Sequence, residues 1–307
     1  MAEMIIPRRL VGGDTLGVVA PAGPFDRDRF ERGARVLEEM GFNLFIPEGL
    51  FRREGYLAGS DAHRAEMVQR LFSDSGIDAV ICARGGYGAM RILSRLDYGK
   101  IRKMPKPFIG FSDISALLWA LNERSGLACF HGPMVTSLAD ADDETKRFFL
   151  RMLTGAGRFT INAVAQGGIV SGTATGRLSG GNLATLCHLA GTAFSPCWKG
   201  HILLIEDVAE PLYKIDRMLT QLKLSGALAG VAGIALGTFE KCPPYDQIKD
   251  VVAGIIGEMG VPVAAGFPVG HSKRNFSVPL GISGTLDADA GTLAFELPLD
   301  RSAGVGR

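Results

Sequence analysis

The stretch Phe108-Ile-Gly-Phe-Ser112-Asp-Ile-Ser115 sets a serine between an apolar run and the helix-like segment Ile114–Arg124. A serine held at such a strand-to-helix turn lifts its hydroxyl above the sheet and sets the next backbone N–H beside it, the geometry of a nucleophile elbow. The spelling departs from G-x-S-x-G, because Ser115 stands where the second glycine would be. Serine also caps helices, so the local residues allow a nucleophile or a cap.

A serine hydroxyl becomes nucleophilic only when a base takes its proton and a third group orients that base. The chain has five histidines. His63 is expected on the solvated face of a polar helix, His188 inside an apolar helix, and His201 in a surface turn before a strand. His131 ends the strand-like Ala128–Phe130 and is kept as a supporting residue. His271, in Pro268-Val-Gly-His271-Ser, follows the strand-like Val263–Val269 at a loop position suited to a base. For the acid, Glu206 ends the apolar run His201–Ile205, and a carboxylate there needs a partner, since burying it alone is costly. That partner could be the base, or Lys214 or Arg217 in the next helix; Asp207 and Glu210 are alternates. Serine, glutamate and histidine in this chain order, each at the carboxyl end of a strand, follow the order of α/β-hydrolases.

The elements that must hold these groups alternate in the first half. Strand-like Leu16–Ala20, Asn43–Ile46, Ala79–Ala83, Pro107–Gly110 and Ala128–Phe130 are interleaved with helix-like Asp26–Met40, Ala62–Phe72 and Glu144–Leu153. Buried, non-alternating strands between helices imply a parallel sheet covered on both faces, with ligands beyond the carboxyl ends of the strands. The character changes at Thr154-Gly-Ala-Gly157 and Gln166-Gly-Gly168. The expected layout is a Rossmann-like domain over 1–154, a linker over 155–167 and a β-rich mixed domain over 168–307, with a cleft between the halves. In the second domain Ile169–Leu178 reads as one antiparallel strand. Helices follow at Asn182–Leu189, Leu212–Leu222 and Gln247–Met259, with strands at Ile202–Ile205, Ile234–Thr238, Val263–Phe267 and within Ser277–Glu296.

With 47% apolar residues and a formal charge of +1, the chain can fill a core and carries no basic block for nucleic acid or acidic membranes. Cysteines 82, 129, 187, 197 and 242 are odd in number and form no C-x-x-C pair, so neither a disulfide framework nor a zinc site is expected. The first three lie in apolar runs and read as buried thiols. Met1–Arg9 lacks a signal-type apolar region, and no apolar run reaches the ~18 residues of a membrane helix. A reducing, cytoplasmic location is the expectation.

The turn Arg84-Gly-Gly-Tyr-Gly88 follows a strand, as a dinucleotide fingerprint would, but Arg91 stands where the third glycine is required. A broken match of this kind argues against a nucleotide, and no cofactor or metal is expected.

Taken together, the blocks Val18–Pro24, Ala83–Gly88, Ile109–Asp113, His131-Gly-Pro133, Gly180-Gly-Asn-Leu183, Glu206–Arg217 and Gly270-His271…Pro279-Leu-Gly281 run in order over nearly the whole chain. In this the chain resembles the LD-carboxypeptidase (muramoyltetrapeptide carboxypeptidase) family of serine peptidases. The resemblance implies Ser112 as nucleophile, His271 as base, Glu206 as orienting acid, no metal and a homodimer. It implies release of a terminal D-alanine from the L-centre of diaminopimelate or lysine in cytosolic murein tetrapeptides, for peptidoglycan recycling.

On that reading the oxyanion would be held by the backbone N–H of Asp113 and by one from the glycine-rich turn, with Gly86 favoured. A carboxypeptidase must also bind a free carboxylate. Arg84 could supply the contact, with Arg274, Lys273 and Arg177 as competitors and a structural ion pair as the alternative. Asn182 could reach substrate or cap the helix that follows it. Tyr213 and Arg217 are expected to brace the second domain near Glu206.

Relatives that give immunity to microcin-type peptide-nucleotides hydrolyse an acyl-adenylate with the same triad, helped by an aromatic that stacks the base. Between Glu206 and His271 this chain offers Phe239 and Tyr245 for that purpose, so murein tetrapeptide is favoured. A non-catalytic ligand-binding module is the other alternative.

Overall fold

The computed structural model describes residues 4–164 and 167–298. They divide into two compact units, one running to Ala156 and the other spanning Gly157–Leu297. The fold is α/β, with a Rossmann-like first unit and a mixed, β-rich second.

The first unit contains β1 (Thr15–Val19), α1 (Arg27–Glu39), β2 (Asn43–Phe45), α2 (Asp61–Ser73), β3 (Ala79–Cys82), a 3₁₀ turn (Ala89–Arg95) and α3 (Tyr98–Lys103). Then come β4 (Phe108–Gly110), a 3₁₀ turn (Ser112–Ile114) leading into α4 (Ser115–Ala120), a π turn (Leu121–Ser125), β5 (Cys129–His131), α5 (Val135–Leu138) and α6 (Asp143–Thr154). These strands lie in the order β5-β4-β3-β1-β2, every pair parallel. All of β3, β4 and β5 is buried, as their continuous apolar runs require. Helix α1 begins where Asp26 accepts the Arg29 N–H, and it buries Phe30, Ala34 and Leu37. Cys82 and Cys129 are free, buried thiols. The segment Ile114–Arg124, read as one helix, is three short pieces of different pitch.

The second unit holds β6 (Gly157–Asn162), β7 (Gly168–Val170), β8 (Thr173–Asn182), α7 (Leu183–Leu189), β9 (His201–Val208), α8 (Leu212–Leu224) and β10 (Gly233–Glu240). It continues with α9 (Tyr245–Ile256), β11 (Val263–Ala265), β12 (Val278–Leu280), β13 (Ser283–Asp287) and β14 (Thr292–Leu297). Its large sheet has the order β6-β14-β13-β8-β9-β10-β11-β7. The central four strands, β8 to β11, are parallel, and antiparallel strands flank them on both sides.

Two expectations need correction here. The stretch 155–167, read as linker, carries β6: Phe159 and Ile161 point inward, their neighbours outward, and the strand pairs with β14. Its glycines hid an alternation that is a strand signal. The strand read over Ile169–Leu178 is two, broken at Gly172, and β8 pairs parallel with β9 as well as antiparallel with β13. Residues 165, 166 and 299–307, which those readings included, lie outside the described residues.

Candidate active site

In the first unit, β4 ends at Gly110 and the chain turns at Ser112, whose φ is 65°. A serine in this left-handed region costs about 1–3 kcal/mol and persists only where its surroundings impose it. They do so here. A Cβ on Gly110 would stand 2.6 Å from Ile114 Cγ2, so strand and turn approach as only glycine permits. The buried Asp113 carboxylate accepts the Ala89 N–H at 2.8 Å, tying the turn to the segment that follows Gly88. Phe111 is the N-cap of the 3₁₀ turn, and neither that turn nor α4 has a side-chain cap bond.

The glycine-rich turn lies against this serine through Gly85: a Cβ there would meet Ser112 Cβ at 2.9 Å and Oγ at 3.1 Å. Gly86 is the next residue along, exposed, with φ 105°. Gly23 N–H donates to Gly85 O at 3.0 Å, joining the loop after β1 to the loop after β3.

The residue that sequence reading missed is Arg64. It is fully buried on α2, and its guanidinium donates to Pro21 O (2.6 Å), Gly88 O (2.8 Å) and Gly59 O (3.2 Å) while pairing with Asp61. One side chain thus ties the loops after β1 and β3 to the start of α2. His131 is fully buried at the end of β5, its ring edge-on to Phe111 at 5.8 Å between centroids.

In the second unit, β9 delivers Glu206 and the loop after β11 delivers His271. His271 Nδ1–H donates to Glu206 Oε2 at 2.6 Å. Glu206 is wholly buried and the imidazole is 16% exposed. Gly270, with φ 132°, makes the approach possible: a Cβ there would fall 2.7 Å from Glu206 Oε2 and 2.4 Å from Thr238 Oγ1. Burial opposes charge on the imidazole, but Glu206, through Coulomb attraction and the hydrogen bond, with Asp207 and Glu240 further off, raises the His271 pKa above its ordinary value. Glu206 thus has its partner in His271, and Lys214 pairs instead with Glu210 at 3.5 Å.

Asp207 sits beside Glu206 and burial pushes its carboxyl up to about 6, with the neighbouring Glu206 acting in the same direction. It accepts from Asn182 Nδ2 (2.9 Å), Ala184 N–H (3.0 Å) and Val208 N–H (2.8 Å). Asn182 is itself buried and caps α7 by accepting from the Thr185 N–H and hydroxyl. Its amide is engaged within the fold on both sides.

The other candidates are distributed as follows. Arg84 is exposed in the first unit and donates to Pro24 O at 2.6 Å. His63 is half-buried, its Nε2 3.2 Å from Gly49 O, rather than fully solvated. His188 and His201 exchange their expected environments: His188 is exposed, because the apolar side of α7 is made by Leu183, Leu186, Cys187 and Leu189, and His201 is buried at the start of β9. Tyr213 and Arg217 lie exposed on α8, the guanidinium 5.4 Å from the ring centre. Phe239 is buried, and the Tyr245 hydroxyl donates to Gly237 O at 2.8 Å and accepts the Gly266 N–H at 2.9 Å.

A family model described as the LD-carboxypeptidase N-terminal domain matches residues 16–132, and one described as the C-terminal domain matches residues 175–286. A Streptomyces coelicolor protein classed by name among the carboxypeptidases is 41% identical, covering 97% of this chain and 98% of its own. The murein tetrapeptide carboxypeptidase of Pseudomonas aeruginosa is 34% identical, covering 89% of this chain and 93% of its own. The microcin C7 self-immunity protein of Escherichia coli is 30% identical over 91% and 92%. Among solved structures, an MccF-like protein from Bacillus anthracis superposes with a TM-score of 0.90 at 25% identity, covering 96% of this chain and all of its own. A muramoyltetrapeptide carboxypeptidase from Oxalobacter formigenes gives 0.82 at 29% identity, covering 92% and 98%.

Proposed function

The chain belongs to the LD-carboxypeptidase family, and from that premise we propose that it releases terminal D-alanine from LD-linked murein tetrapeptides by a Ser112-His271-Glu206 triad. The observation that carries this reading is the 2.6 Å bond from His271 Nδ1 to the buried Glu206 carboxylate. That bond leaves Nε2 as the ring's acceptor, the tautomer a general base needs.

In the proposed reaction Ser112 Oγ attacks the carbonyl before the D-alanine while His271 Nε2 takes the hydroxyl proton. The imidazolium formed is stabilised by Glu206 and returns the proton to the leaving amine. Water then attacks the acyl-enzyme by the same path. The developing oxyanion takes hydrogen bonds from the Asp113 N–H and an N–H of the Gly85–Gly86 segment, each worth about 10²–10³ in turnover. Arg84 is our choice for the terminal carboxylate, and Asn182 acts by holding Asp207 and α7. We assign the activity to cytoplasmic peptidoglycan recycling by a homodimer.

The likeness to microcin self-immunity proteins supports a second reading, hydrolysis of an acyl-adenylate by the same groups. Packing of Phe239 and Tyr245 inside their own unit disfavours those two as base-stacking residues, although Tyr213 is exposed in the same span. Assaying both substrate types on one preparation separates the readings. D-alanine release with no cleavage of the acyl-adenylate is expected, and the reverse overturns the assignment. A non-catalytic binding module predicts neither.

A further inference from the structure

The loop that follows β11 and carries His271 is closed at its base, where the Phe276 N–H donates to Pro268 O at 2.8 Å. Inside it three consecutive residues are each held by a different partner. Val269 O accepts the Thr238 N–H of β10 at 2.8 Å. The Gly270 N–H donates to Asn275 Oδ1 at 2.9 Å. His271 Nδ1–H donates to Glu206 of β9. The first and third of these bonds go to the sheet, and the middle one goes to a side chain of the loop itself.

Asn275 is only 4% exposed, although Lys273 and Arg274 just before it are exposed. An amide turned inward from such a stretch gives up water, which is costly unless a hydrogen bond replaces it. Its oxygen makes that bond to Gly270. Gly270 is buried and packed so closely on the acid that a Cβ there would fall 2.7 Å from Glu206 Oε2. At φ 132° it occupies backbone space that glycine enters freely, so its own torsions do little to aim the residue that follows. The direction of the chain into His271 must be set from outside.

Resting on the Ser112-His271-Glu206 reading, we propose that Asn275 is a positioning residue for the base. By clamping the Gly270 N–H it fixes the direction in which the chain enters His271, and so holds the imidazole against Glu206 with Nε2 as the proton acceptor. Its effect passes through the placement of His271, where an error of about 1 Å costs about 10²-fold in rate.

The test is D-alanine release from an LD-linked tetrapeptide by the full chain and by Asn275→Ala, Asn275→Ser and Asn275→Asp, with folding checked by circular dichroism. Aspartate keeps an acceptor oxygen in place for Gly270 in either protonation state. Alanine has none, and the serine hydroxyl is one bond shorter. In the alanine and serine variants kcat should fall about 10²-fold while KM stays within about threefold, since the substrate contacts are untouched. Asn275→Asp should bring kcat back to within about tenfold of wild type. A second readout is the proton NMR signal of His271 Nδ1–H, identified by its absence from His271→Ala. It should be lost or broadened in the alanine and serine variants and kept in Asn275→Asp. A folded alanine or serine variant that keeps the signal or wild-type kcat overturns the proposal, as does an aspartate variant as impaired as alanine. Where alanine prevents folding, serine carries the comparison. Should the wild type release no D-alanine, the tetrapeptide reading falls, and the NMR signal decides the role of Asn275 separately. Loss in the alanine variant with retention in aspartate supports it; retention in all variants overturns it.

Discussion

Glu206 works on His271 against the local desolvation. Burial favours a neutral imidazole, and the carboxylate at 2.6 Å more than offsets it, so the ring keeps its proton to a higher pH than free histidine. In the proposed reaction only the neutral ring can accept the serine proton. The acidic limb of kcat/KM should therefore lie above the ordinary imidazole value of about 6.5. Glu206→Gln should move that limb down, because burial then acts without the compensating charge, and should lower kcat through loss of the oriented tautomer. A limb that stays in place in the variant would show that another group titrates. The same raised pKa has a stability sign: the protonated His271 stabilises the fold fully below its unfolded pKa, and this contribution is lost as pH rises through the folded value. Urea titrations of wild type and His271→Ala at several pH values report that difference. Glu206 was legible because a carboxylate interrupts an apolar run, and His271 because it follows one. Nothing in the sequence distinguished Asp207, which is packed beside Glu206 and held by Asn182, from a solvated loop acid.

At the scale of elements, the loops after β1 and β3 are joined to each other by Gly23 N–H to Gly85 O, and Arg64 ties both to α2. Sequence periodicity puts Arg64 on a polar stretch of α2, so its burial was not legible; carbonyls of Pro21 and Gly88 from distant loops, with Gly59 O from the turn before α2, make the position. Arg64→Met should cost roughly 2–4 kcal/mol, since it leaves buried acceptors unpaired. Thermal melts should show the loss, and turnover should fall in the folded protein because Gly85 is no longer fixed against Ser112. Unchanged stability and turnover would contradict this role. The parallel core was readable because long apolar runs admit few alternatives. Strand β6 was not, because glycines at its start outweighed two inward-facing residues, and His188 and His201 were misjudged because helix and strand faces are set by packing that short motifs do not encode.

For the whole molecule, the family models match within both units, so each half of the proposed triad comes from a region with its own family counterpart. No helix among the described residues is long and apolar enough to cross a membrane. The central claim is that Ser112 and His271 act as one catalytic unit although they belong to different compact units. Groups that act as a unit are not additive: removing either should abolish as much as removing both. The decisive measurement is kcat for D-alanine release from an LD-linked tetrapeptide by Ser112→Ala, His271→Ala and the double variant. The account predicts a loss of about 10⁴-fold or more for each single variant, with no further loss in the double. Losses that multiply, or a Ser112→Ala protein that still turns over, would contradict it.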